Sequence, residues 1–130
     1  MKKLTLFKII FIIFFSFFVN KTVLAGPCDT TISSATTDQL LCADDDSLIV
    51  TSDGSIAYDD QNAVEAQKHD NVTITNRGTI KTTTDGSDGD SAVKGQSSLN
   101  LTVTNSGTIT AGTDYGINII SAEKVTITNE

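Results

Sequence analysis

Val72 to Ile80 reads Val-Thr-Ile-Thr-Asn-Arg-Gly-Thr-Ile, and the string returns at Leu101 to Ile109 as Leu-Thr-Val-Thr-Asn-Ser-Gly-Thr-Ile. A looser copy runs from Leu48 to Ile56, Leu-Ile-Val-Thr-Ser-Asp-Gly-Ser-Ile, and a fourth opens at Val125 as Val-Thr-Ile-Thr-Asn-Glu. Gly54 and Gly78 stand 24 residues apart, and Gly78 and Gly107 stand 29 apart. After each glycine comes a small residue followed by an aliphatic: Ala63-Val64, Ala92-Val93, Gly116-Ile117. Each of these aliphatics lies 8 residues before the next copy. The extra residues of the middle copy therefore fall between Ile80 and Ala92, where Asp85-Gly86-Ser87-Asp88-Gly89-Asp90 has the composition of an outward loop. A fixed period of about 20–50 residues marks a solenoid, in which each repeat packs on its neighbours.

Within the unit, Val72, Ile74, Asn76, Gly78 and Ile80 share one face, and Thr73, Thr75, Arg77, Thr79 and Lys81 share the other. A period of two means strand, because successive strand side chains point to opposite faces. Val, Ile and Thr also favour strands. Stacking the copies by their glycines predicts interior columns of Leu48, Val72, Leu101 and Val125; of Val50, Ile74, Val103 and Ile127; and of Ile56, Ile80 and Ile109. A fourth column, Ser52, Asn76, Asn105 and Asn129, is polar, and stacked Asn amides can satisfy one another from coil to coil. The outward Thr73 and Thr75, Thr102 and Thr104, Thr126 and Thr128 predict ranks of hydroxyls, interrupted in the first copy by Ile49. One coil buries too little apolar surface to offset its ordering entropy, so the fold requires stacked, hydrogen-bonded coils.

Residues 1–25 read as a secretory signal. Lys2, Lys3 and Lys8 lead an apolar run from Ile9 to Val19, and Val23-Leu24-Ala25 suits a cleavage site between Ala25 and Gly26. The run is shorter than the roughly 20 residues of a spanning helix. Removing it takes all six Phe and leaves five basic residues (Lys68, Arg77, Lys81, Lys94, Lys124) against sixteen acids, a net of −11. So acidic a surface repels nucleic acid and anionic lipid and suits an exported protein of the periplasm, cell surface or medium.

Gly26 to Asp46 does not match the repeat and is expected to cap the first coil. It holds both cysteines, Cys28 and Cys42, which in an exported chain read as one disulfide. Two thiols without a nearby His fall short of a metal ligand set, and no cofactor is expected. Asp44-Asp45-Asp46 and Asp85 to Asp90 fit neither an EF-hand loop nor a calcium-binding nonapeptide, and read as solvated turns. His69, the single histidine, sits in a polar turn without a nucleophile motif beside it, so no catalytic role is assigned. Asn71-Val72-Thr73 and Asn100-Leu101-Thr102 match the glycosylation sequon but are explained by the repeat as strand entries.

The recurring Thr-Ile-Thr-Asn-x-Gly-Thr-Ile, followed by Ala-Val or Gly-Ile, resembles the passenger region of bacterial autotransporters, as does the exported start with Cys28 and Cys42 ahead of the first coil. The resemblance covers Cys28 to Glu130 and implies an all-β, right-handed parallel β-helix over 47–130, carried to the cell surface by a C-terminal outer-membrane barrel. It stops short of that barrel, since no stretch here alternates over about ten residues with aromatic girdles. The resemblance implies a structural or adhesive surface protein without catalysis. Further coils and a barrel are the expected partners in a full-length product, with a host or environmental glycan or protein as a ligand. A polysaccharide-acting enzyme is the first alternative, but its site would need stacked acids with Arg or Lys, and Arg77 is the only arginine. The second alternative is an ice-binding face of Thr-x-Thr ranks. Glu130 aligns with Asp53, Arg77 and Ser106, just before the repeat glycine, so the sequence predicts a fourth coil that continues past Glu130.

Intact-mass measurement of the exported protein is expected to give a chain that starts at Gly26. A product that keeps residues 1–25 and stays with the membrane would contradict the signal reading.

Overall fold

The computed structural model describes residues 26–83, 90–113 and 115–130. The expected signal segment 1–25, with Ala25, and residues 85–89 of the acidic insertion lie outside the described residues. The described chain is an all-β parallel β-helix of three sheets, visited in the same order around each coil. Sheet A holds β1 (Gly26–Pro27), β4 (Leu40–Leu41), β7 (Val64–Gln67), β10 (Val93–Gln96) and β13 (Ile117–Ile120). Sheet B holds β2 (Thr30–Ile32), β5 (Ser47–Val50), β8 (Thr73–Asn76), β11 (Thr102–Asn105) and β14 (Thr126–Asn129). Sheet C holds β3 (Ala35–Thr36), β6 (Ser55–Tyr58), β9 (Thr79–Thr82) and β12 (Thr108–Thr110).

Each strand pairs in parallel with its counterpart one coil away. Alternation sends Ile74 and Asn76 of β8 inward and leaves Thr73 and Thr75 half-buried outside. The interior is a column of fully buried aliphatics, among them Leu48, Ile56, Ile74, Ile80, Val93, Leu101 and Val103. The step from Val64 to Val93 in sheet A is 29 residues, whereas Leu40 to Val64 and Val93 to Ile117 are each 24. The step from Ser55 to Thr79 in sheet C is also 24, which places the insertion between β9 and β10.

Two sequence expectations change. Glycine alignment put Leu48 level with Val72 and Val50 level with Ile74, but Leu48 stacks on Ile74 and Val50 on Asn76. The inward-facing columns are therefore Leu48, Ile74, Val103 and Ile127, and Val50, Asn76, Asn105 and Asn129, although Ile127 and Asn129, expected to be interior, are exposed. Ser52 is not part of the amide column; it lies in an exposed turn. The residue beneath Val72 is Asp46, whose carbonyl accepts the Thr73 N–H at 3.0 Å. The cause is a trade between corners. The link from β5 to β6 has four residues, 51–54, where β8 to β9 has two, 77–78. The path from Leu41 to Ser47 is two residues shorter than its partner from Glu65 to Thr73. The changes cancel, so Gly54 and Gly78 keep their spacing. A two-residue slip returns every side chain to the same face, so alternation could not reveal it.

Residues 26–46, expected as a cap distinct from the repeats, instead add a shortened coil to all three sheets. β2 pairs with β5, β3 with β6, and β4 with both β1 and β7. Gly26 to Leu40 is a step of 14, so this coil is narrower than those above it.

The corners repeat as faithfully as the strands. Asp45, Asn71, Asn100 and Lys124 all have positive φ, between 52° and 64°, at the bend from sheet A to sheet B. Asp and Asn enter that left-handed region more readily than most residues, which gives Asn71 and Asn100 a backbone reason to be there. The Gly54, Gly78 and Gly107 column has a different cause. A Cβ on Gly78 would sit 2.1 Å from the Gly54 carbonyl oxygen, and one on Gly107 would sit 2.2 Å from that of Gly78. These glycines are required by the closeness of stacked backbones.

Gly78→Ala is expected to cost about 1–3 kcal/mol, because the coils must separate at that corner. Arg77→Ala, on an exposed side chain next door, is expected to stay within about 0.5 kcal/mol of the parent. Urea denaturation of the two variants checks this, and equal stability would mean that the glycine column is not a steric requirement.

Candidate functional site

The most uniform surface of the molecule is the outer side of sheet B. Its strands bring Ser47, Thr73, Thr102 and Thr126 into one column. A second column holds Thr31, Ile49, Thr75, Thr104 and Thr128. Thr73, Thr75, Thr102 and Thr104 are half-buried by their neighbours, and Thr126 and Thr128 are exposed. Three successive coils thus carry complete Thr-x-Thr ranks, and Ile49 ends the hydroxyl run at the coil below. The five strands contain no ionisable side chain.

Behind this face the amide column holds the strands level. Asn76 Nδ2 donates to Asn105 Oδ1 at 2.7 Å, and Asn105 Nδ2 donates to Asn129 Oδ1 at 2.8 Å. Asn76 Oδ1 accepts the Gly78 N–H, and its Nδ2 also reaches the Thr108 carbonyl. Asn105 Nδ2 donates to the Gly107 carbonyl at 3.3 Å. Asn76 is fully buried, and a buried amide is tolerated because these groups satisfy it.

Cys28 and Cys42 form a disulfide with their Cα atoms 4.5 Å apart. The register of Gly26 with Leu40 and Pro27 with Leu41 continues directly to this pair, so the bond joins vertical neighbours in successive coils. Both sulfurs are buried. The staple ties the short first coil to the second, and Gly26, the expected mature N-terminus, begins the strand that leads into it.

Two further polar columns escaped the sequence reading. At the corner from sheet C to sheet A, Gln39 Nε2 donates to the Asn62 carbonyl at 3.0 Å, and Asn62 Oδ1 accepts the Ser91 N–H at 2.8 Å. The signal was present, since Asn62 and Ser91 each precede the small-aliphatic landmark. At the corner from sheet A to sheet B, Asn100 Nδ2 donates to Asn71 Oδ1, and Asn71 Nδ2 donates to Asp45 Oδ1, both at 2.8 Å. The two sequon asparagines are thus bonded to each other.

The remaining acids of that corner are directed at backbone donors. Asp44 Oδ1 accepts the Asp70 N–H at 2.9 Å and contacts His69 Nδ1 at 3.1 Å. Asp70 Oδ1 accepts the Leu99 N–H, and Asp46 Oδ2 accepts the Ala43 N–H. The backbone N–H of Asp70, and then His69, hold the Asp44 carboxyl below its ordinary range. A depressed carboxyl contributes stability above its unfolded pKa and loses it as pH falls through the folded value, so this corner weakens in acid. Among the described residues, no three His, Cys, Asp or Glu side chains converge as a metal site would require.

Asn105→Asp is expected to lower the urea-unfolding free energy by about 1–3 kcal/mol at neutral pH. The carboxylate would meet the Asn129 Oδ1 and the Gly107 carbonyl, two acceptors, with no proton to offer. An unchanged midpoint would show that the amide column does not hold the coils. No protein-family model, curated protein or solved structure matches the chain, so its functional reading rests on this geometry.

Proposed function

We propose that this chain is part of an exported, autotransporter-like β-helical passenger, a rigid surface element that is structural or adhesive and carries no catalysis. The observation that supports this best is the allocation of residues. The inward and corner columns described above serve coil stacking, while the outer face of sheet B is left free, flat and repetitive. Such an object suits a stalk or a contact surface, as solenoids present extended faces. The Cys28–Cys42 bond fits an oxidising compartment, in keeping with the signal-like leader. On this reading the partners are further coils of the same solenoid, an outer-membrane barrel that carries them across, and a glycan or protein at the surface being contacted.

Expression of the natural gene in a Gram-negative host tests it. The protein is expected in the outer-membrane or extracellular fraction, cleavable by protease added to intact cells and with both cysteines blocked to thiol reagents until reduced. Retention in the cytoplasm with free thiols would remove the export reading.

A further inference from the structure

We propose that the outer face of sheet B docks an uncharged, extended polysaccharide, whose hydroxyls bond to the threonine ranks of successive coils. This rests on the surface-adhesive reading and names the chemistry of its ligand.

Three observations carry it. The first is uniformity. Thr suits any exposed strand, yet the other sheets do not hold hydroxyls at both outward positions: sheet A has Glu65, Lys94 and Asn118 in one outward column, and sheet C, which keeps Ser55, Thr79 and Thr108 in one column, has Ala57, Lys81 and Thr110 in the other. Only sheet B keeps a hydroxyl at both outward positions through three coils.

The second is charge. The chain has sixteen acids, and none stands on a strand of this face. Charged side chains occur only at its borders, such as Asp45 and Lys124 on one side and Asp53 and Arg77 on the other. The acidic remainder repels anionic polymers. An uncharged polymer meets no such penalty and can exchange hydrogen bonds with Thr hydroxyls, which both donate and accept.

The third is dimension and rigidity. Ranks recur about every 4.8 Å along the helix axis, and the two hydroxyls of a rank lie about 6.7 Å apart along the strand. Each bond is modest, but a polymer meets several at once, so contact is multivalent. The amide column behind the face fixes it beforehand, so little order is lost on binding. Ile49 interrupts the second column at the coil below Thr75.

The test is co-sedimentation of the purified chain with insoluble cellulose, chitin and a carboxylated polysaccharide over a range of salt. Adsorption to at least one neutral polymer, insensitive to salt, is expected. The double variant Thr75→Val/Thr104→Val keeps the shape and removes two central hydroxyls, and should bind about tenfold more weakly with an unchanged circular dichroism spectrum. The corresponding double serine variant should retain binding, which separates a lost hydroxyl from a damaged fold. No adsorption to either neutral polymer, undiminished binding by the valine variant, or adsorption only to the carboxylated polymer would overturn the proposal. Thermal hysteresis without adsorption would also overturn it and assign the face to ice. A chain that is protease-accessible on cells yet fails to adsorb would sink this proposal and leave the surface reading standing.

Discussion

Among the described residues, no strand pairs with another strand of its own coil. Thr102 donates to the Val72 carbonyl in the coil before it, and Thr126 to the Leu101 carbonyl, each at 2.9 Å. The strand backbone is satisfied from the coils above and below, so the coil-to-coil spacing is the quantity that every other feature must respect. The glycine column lets backbones approach at one corner. The positive-φ residues bend the chain identically at another. The buried amides are affordable because the next coil supplies their partners at the same distance. Stability is therefore collective, and no single coil is a meaningful folding unit.

That division of labour shapes the functional reading. Interior and corner positions are committed to stacking, and most outward positions vary from coil to coil in size and charge. Sheet C repeats only in its Ser55, Thr79 and Thr108 column, whereas sheet B alone repeats at both outward positions through three coils. Its outward positions repeat although no inward contact demands it, since Thr73 and Thr75 face away from the core that Ile74 fills. Repetition that packing does not explain is the best internal evidence for a surface selected for contact.

Much of this architecture was legible in the sequence, for physical reasons. Period-two alternation identified strands and their buried faces, and the spacing of aliphatics located the insertion between β9 and β10. The first copy was misaligned because glycine spacing was taken as the ruler, while two corners had exchanged two residues of length. An even slip leaves Leu48 and Val50 buried, so hydrophobic pattern alone cannot detect it. Residues 26–46 were not legible as a coil because their strands are only two or three residues long, too short for alternation to show. The amides at Asn76 and Asn105 were recognisable because the residue recurs. The Gln39, Asn62 and Ser91 column was not, because two different side chains, those of Gln39 and Asn62, meet two different backbone groups there, a carbonyl and an N–H.

Asp45 carries a consequence of its own. A carboxylate can only accept, so Asn71 in the coil above must turn its NH2 toward Asp45. That leaves the Asn71 oxygen facing the next coil, and Asn100 must in turn point its NH2 back. The interior ladder runs the other way, with Asn76 giving to Asn105 and Asn105 to Asn129. The two files of amide dipoles are thus antiparallel along the axis and oppose one another. One side chain near the start of the solenoid sets the polarity of the two amide bonds stacked on it, much as the first tile laid fixes the orientation of the row.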